Sequence, residues 1–437
     1  MSRVAALSPA PRQQSERLRR FLHRVRVPGD IAAVTDIDTR RESDAASLGI
    51  PRERADAIWS AVEDLYRTGY YPALMFCLRR RGRIMFHRAI GHRCGNAPLD
   101  PEDAPRERAR VDTPSCVFSA SKAATAMVIH RLEEEGLIRL MDPVSRYVPE
   151  FAAAGKGRTT IQQVLSHRAG IPGVEGVADP HVVLDHEACL QLICAAEPRH
   201  LLGRRQAYHA ITGGVVLAEI VRRASGMDIR EAWRRWFKEP MGFRVFDYGA
   251  TPGVRRRMAE QQPTGVQDCR IVDRLAEGVL GASLPEIVAL LREDGFYEAT
   301  IPSGNMVTTA GEICAFYQML LDGGTWRGRR ILAPETVFRA TLEAGPHRFD
   351  RTLGIPLRFS SGFMLGGLPL GLFGSRSHHA FGHIGLSNNL SWADPERGIS
   401  VALLVSGIPL LAGNLGALSR LVFTIADACP RGEMSRP

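Results

Sequence analysis

The pattern of apolar and polar positions changes period along this chain. Residues 52 to about 67 read as a helix, followed by an apolar strand at 73–78, a tight basic turn around Gly82 and a second strand at 84–90. Helix and hairpin together predict the start of a sheet. From about 119 to 340 the pattern is mostly helical, with segments at 125–135 stopped by Gly136, 161–167 stopped near Gly170, and 214–224 stopped by Gly226. Near the C-terminus the period shortens again, and 390–393 and 399–406, parted by Asp394-Pro395-Glu396-Arg397-Gly398, predict a hairpin. Sheet, helical insertion and returning sheet predict one α/β unit with an α subdomain. Residues 1–50 have weak periodicity, with a basic amphipathic helix predicted at 15–25, and read as an extension rather than a domain.

Composition narrows the class. With 437 residues and 45% hydrophobic content, the chain is too apolar to be disordered, and no strict repeat supports a fibrous or solenoid reading. The net charge is +9, but the basic clusters at 79–81 and 255–257 are dispersed and accompany no finger or recognition-helix motif, so nucleic acid is not an expected partner. Of 56 basic residues 53 are arginine; the lysines are Lys122, Lys156 and Lys238. Eight cysteines form no CxxC pair and the first thirty residues lack an apolar run, which predicts a cytoplasmic chain with reduced thiols. The charge-free stretch at 399–419 is cut by Gly407, Pro409, Gly413, Asn414 and Gly416, so it reads as strand, turn and terminal helix rather than a membrane span.

Most hydrolase and cofactor signatures are missing: there is no G-x-S-x-G, H-E-x-x-H, P-loop or dinucleotide fingerprint. What does occur is Ser119-Ala120-Ser121-Lys122, followed by an alanine-rich run that predicts a helix with Ser119 at or near its start. A spacing of three residues puts Ser119 and Lys122 on one helix face, where an amine approaches a hydroxyl, and Ser121 on another. The helix dipole favours negative charge developing at that end. Nucleophile and base become neighbours. Lys156 and Lys238 read as stabilisers of surface turns.

The S-x-x-K motif, Met141-Asp142-Pro143-Val144-Ser145-Arg146-Tyr147-Val148-Pro149-Glu150-Phe151 and Thr160-Ile161 through Leu165-Ser166-His167-Arg168-Ala169-Gly170-Ile171-Pro172 together resemble the serine β-lactamase and penicillin-binding-protein-like superfamily. The likeness is greatest to the branch of class C β-lactamases, family VIII carboxylesterases and D-aminopeptidases, over roughly residues 53–425. It implies a β-lactamase/transpeptidase-like fold: an antiparallel sheet flanked by helices, an α/β sandwich over 51–437, with an all-α subdomain inserted at about 123–340. The family's Y-x-N element is matched by Tyr208-His209-Ala210, with alanine in place of asparagine. A phenol beside an ammonium can lose its proton below its usual value of about 10, so Tyr208 is expected to relay protons to and from Ser119 or the leaving group. The third element is His383-Ile384-Gly385, an H-x-G, in which glycine lets substrate lie close to the strand. The resemblance implies an oxyanion hole from the Ser119 and Leu386 amides, with His383 hydrogen-bonding substrate or Tyr208.

His378, His379 and His383 lack a carboxylate or cysteine at ligand spacing, so no metal is expected, and no cofactor either. His167 reads as structural, and Pro302-Ser303-Gly304-Asn305 as a framing loop. The expected activity is hydrolysis of small-molecule carboxylic esters through an acyl-enzyme on Ser119. β-Lactam or peptide hydrolysis and acyl transfer would use the same residues. The alternative from another class is a binding or scaffold protein that kept the fold and lost catalysis.

Overall fold

The computed structural model of the chain describes residues 22–173, 179–200, 203–265, 277, 281–345, 348–409 and 414–432. Its centre is an eight-stranded antiparallel sheet. Strands β1 (Thr35–Ile37), β2 (Ala73–Arg80), β3 (Arg83–Cys94), β6 (Met364–Leu365), β7 (Phe381–Ile384), β8 (Leu390–Asp394) and β9 (Ile399–Ser406) lie in the order β1-β3-β2-β9-β8-β7-β6, with Glu107–Arg108 branching off β3. A separate hairpin, β4 (Arg348–Asp350) with β5 (Ile355–Leu357), precedes β6.

Alternate side chains of β2 enter two different cores. Leu74, Phe76 and Leu78 pack with α1 (Arg52–Arg67) and α7 (Leu415–Ala428), while Ala73, Met75 and Cys77 pack with α2 (Ser121–Glu134) and α6 (Ala310–Leu321). Burial on both faces is why this strand reads as an unbroken apolar run. Between β3 and β4 the chain is mainly helical and includes α3 (Ile161–Leu165), α4 (His186–Ala195) and α5 (Thr212–Ser225). Thr160 starts α3 with a capping box to Gln163, and Gly226, at φ 75°, ends α5.

Three features depart from the sequence reading. The segment expected to lie outside the domain contributes β1, which pairs with β3 (Thr35 opposite Ile90), and Ile31, Val34, Leu48 and Ile50 are buried in the core with α1. Of the helix expected at 15–25, residues 15–21 lie outside the described residues and 22–25 are not helical. Lys156, assigned to a surface turn, is fully buried, whereas Lys238 pairs with Asp247 at 2.7 Å. Over 399–419, β9 and the start of α7 flank residues 410–413, which lie outside the described residues. No described helix is long and apolar enough to cross a membrane. The seven described cysteines are free thiols, and Cys269 lies outside the described residues.

Candidate active site

Ser119 sits in a 3-10 turn, Phe118–Ala120, that runs directly into α2. Phe118 adopts φ 47°, a left-handed conformation that a bulky side chain holds only under constraint from its surroundings. The constraint comes from neighbours: Val117 N–H donates to Met306 O at 2.9 Å, Met306 N–H donates to Ser121 Oγ at 3.1 Å, and Ser121 Oγ–H donates to Phe118 O at 2.5 Å. Ser121 is thus tied into the scaffold. Ser119 instead faces a cavity of about 190 Å³ lined mainly by apolar groups, among them Phe118, Ile211, Leu290, Phe296 and Leu386.

Lys122 lies one turn on, and its Nζ has three partners: Ala210 O at 2.7 Å, Ser303 O at 3.0 Å and Ser119 Oγ at 3.3 Å. Burial without a counter-charge pulls its pKa down from 10.5 to about 7. With Nζ protonated, its three N–H groups meet the two carbonyls and Ser119 Oγ; with Nζ neutral, two N–H groups keep the carbonyls and the lone pair is free to take the serine proton. Both carbonyls come from distant segments. Ser303 is held by donating its Oγ–H to Ile211 O at 3.0 Å while accepting Gly214 N–H at 3.1 Å. A Cβ on Gly214 would stand 2.1 Å from that Oγ, so the glycine makes the seat possible. The 302–305 loop therefore frames the site and also supplies a Lys122 contact through the Ser303 carbonyl, which no side-chain signal in the sequence could reveal. Ala210, which breaks the Y-x-N pattern, contributes its carbonyl in the same way.

The Tyr208 ring lies over Lys122, with Nζ 4.9 Å from the ring centroid. Its Oη is buried and has no hydrogen bond of good geometry among the described residues, although the Ser119 hydroxyl is near enough to favour the ionised form. Burial dominates and raises this phenol well above its ordinary value, with the charge of Asp350 adding to the rise. The expected depression of the Tyr208 pKa is therefore reversed: desolvation penalises phenolate by more than the neighbouring Ser119 hydroxyl favours it.

His383, on β7, has its Nδ1 2.9 Å from Ile384 O, and its ring centroid lies 6.2 Å from that of Tyr208. No hydrogen bond joins His383 to Tyr208, contrary to one of its two expected roles; the Nδ1 side of the ring faces its own strand at Ile384 O. Burial, followed by the Lys122 charge, lowers its pKa to about 3, so it is a neutral imidazole. Gly385 follows where its N–H donates to Asn389 O at 2.8 Å, and a Cβ there would stand 2.3 Å from Val117 O. Only glycine lets this strand end approach the Ser119 turn so closely. Among the described residues, neither the Ser119 N–H nor the Leu386 N–H has a protein acceptor. His167 accepts His209 N–H at 3.1 Å on Nδ1 and packs its ring 4.6 Å from Tyr208, supporting the phenol from behind. His378 packs edge-on against His379 with centroids 5.0 Å apart, and no described group of three His, Cys, Asp or Glu residues is arranged to hold a metal ion.

The Beta-lactamase family model matches residues 60–413. The esterase/beta-lactamase LipL of Mycobacterium tuberculosis is 34% identical over 338 residues, which cover 74% of this chain and 77% of that protein. Among solved structures, a penicillin-binding-protein homolog from Caulobacter crescentus is 26% identical with a TM-score of 0.73, covering 87% of this chain and 98% of its own. A family VIII carboxylesterase, 24% identical with a TM-score of 0.72 and the same coverage, has the same fold. With a family match over most of its length and a relative 34% identical, this chain belongs to the beta-lactamase family and is a serine hydrolase.

Proposed function

We propose that the protein cleaves small-molecule carboxylic esters through an acyl-enzyme on Ser119. The observation that carries this reading is the partner set of Lys122, two carbonyls and one hydroxyl, which suits a neutral amine poised as general base. Ser119 Oγ attacks the ester carbonyl and gives its proton to Lys122 Nζ, and the Ser119 and Leu386 amides receive the oxyanion. As the C–O bond to the alcohol breaks, the Tyr208 phenol donates its proton to the leaving alkoxide, and the Lys122 ammonium returns one to the phenolate. Water then attacks the acyl-enzyme by the reverse proton route and releases the acid. A phenol kept protonated by burial is suited to be this acid, and a base near pKa 7 to be its partner.

Esters are favoured over β-lactams because Ala210 offers no side-chain amide to a substrate's amide, and because the cavity beside Ser119 is mainly apolar. Intact-mass analysis after fluorophosphonate treatment should give one adduct, lost in Ser119→Ala. The specificity constant for p-nitrophenyl butyrate should exceed that for nitrocefin by at least about 100-fold. An adduct persisting in Ser119→Ala, or equal constants for the two substrates, would overturn the reading.

A further inference from the structure

Tyr208 is held in place by a part of the chain far from it in sequence. Asp350, the last residue of β4, is fully buried, and its Oδ1 accepts Tyr208 N–H at 3.1 Å together with Thr352 N–H and Leu353 N–H, each at 3.0 Å. Two more bonds tie the same segments: Arg351 N–H donates to Gln206 O at 3.2 Å, and Gln206 Nε2–H donates to Leu357 O at 3.1 Å. Phe359, just beyond β5, stacks on the Tyr208 ring at 6.4 Å. The hairpin β4–β5 thus clamps residues 206–208 along their backbone. Among the described residues Asp350 Oδ2 is buried with no hydrogen-bond partner. A carboxylate oxygen on which three N–H donors converge holds them more strongly than the amide oxygen of asparagine would, whereas burying a carboxyl group with its second oxygen bare is costly.

We infer that Asp350 is a positioning residue for Tyr208, fixing its backbone so that the phenol reaches Ser119 and the leaving oxygen. The inference rests on the ester-cleavage reading above. The groups around the phenol are Ser119 and Lys122 from the α2 end, His167 behind the ring, His383 from β7 and Asp350 from β4. Asp350 alone among them grips the Tyr208 backbone. It touches neither substrate nor reacting atoms, so its effect on rate must pass through the phenol.

The leaving group separates this role from a merely structural one. Ethoxide needs a proton as it departs, whereas p-nitrophenolate does not, so a misplaced Tyr208 harms hydrolysis of ethyl butyrate far more than that of p-nitrophenyl butyrate. Specificity constants for both esters are to be measured in wild type, Asp350→Asn, Asp350→Ala, Tyr208→Phe and the Asp350→Asn/Tyr208→Phe double variant, with folding checked by circular dichroism. Tyr208→Phe should lose about 100-fold more on the ethyl ester than on the p-nitrophenyl ester, and Asp350→Asn about tenfold more. Asp350→Ala should show a larger bias than Asp350→Asn; if it does not fold, the asparagine variant carries the comparison. In the double variant, Asp350→Asn should add no further bias. Equal losses on both esters, or the same added bias with and without the phenol, would overturn the assignment. Wild type inactive on both esters, or Ser119→Ala still active, would take down the esterase reading and this inference with it, and is seen before any Asp350 variant is compared.

Discussion

Two buried lysines in this protein are surrounded in similar ways and suited to different tasks. Lys156 Nζ donates to Ala153 O and Cys194 O, each at 2.9 Å, and to Ala196 O. Three carbonyls use all three N–H groups of an ammonium, and two of them belong to residues at the C-terminal end of α4, where the helix dipole favours positive charge. Lys122 has two carbonyls and a hydroxyl, and stands in the first turn of α2, where the dipole opposes positive charge. Burial lowers the pKa of both. The difference is in the third partner. A third carbonyl requires a third proton on nitrogen, whereas a hydroxyl can give its own proton to the lone pair. The chemical identity of the third partner, not the number of partners, is therefore what suits one amine to hold a cation and the other to exchange a proton.

The largest expected effect comes from replacing the proposed base with a permanently charged group. Lys122→Arg should cost on the order of 10² to 10⁴ in ester turnover, because guanidinium does not shed its proton. Steady-state hydrolysis of p-nitrophenyl butyrate by a variant with native circular dichroism checks this; retention of more than about a tenth of wild-type turnover would erase the distinction between the two lysines.

Lys156→Met should do the converse. It strands three carbonyls, two of them at the end of α4, and should cost about 2 to 4 kcal/mol of stability, read as a lowered urea midpoint, with turnover per folded molecule unchanged within about twofold. A folded Lys156→Met that is inactive would break the comparison from the other side.

A smaller effect sharpens it. The proposed mechanism uses Lys122 as a neutral amine, so protonation as the pH falls below about 7 should lower the specificity constant about tenfold per unit, with a plateau above. Lys156→Met should leave this limb where it is. A profile flat from about pH 5 to pH 9 would mean that no group near neutrality gates the reaction.

Much of the scaffold could be read from local pattern. The helix from Arg52 to Arg67 and the C-terminal hairpin lie where the periodicity put them, because each buries a face set by neighbours a few residues away. The hairpin of β2 and β3 was recognised but runs several residues longer than its apolar stretch, since pairing continues through Arg79 and Arg80. The edge strand β1 was missed: three residues are too few to show a period, and it is the pairing with β3 that makes them a strand. Spacing put Ser119 beside Lys122, and the structure has them 3.3 Å apart. Sequence reasoning misjudged the Tyr208 phenol because it weighed a neighbouring ammonium without knowing the burial, and misplaced Lys156 because a lysine's burial cannot be read from its identity.

By itself the sequence determined that the chain folds around a sheet with a helical insertion, and that a serine and a lysine one helical turn apart share a face at a helix start. Those features follow from backbone geometry over a few residues, which side-chain order encodes directly. Tertiary structure alone decided which of two buried lysines has a hydroxyl for its third partner, that Ala210 and Ser303 take part through their carbonyls, and that Asp350 grips Tyr208 across 142 positions. The reason is physical. A backbone carbonyl is the same group in every residue, so its contribution depends on where the fold brings it, and a pKa depends on the water that the whole fold excludes.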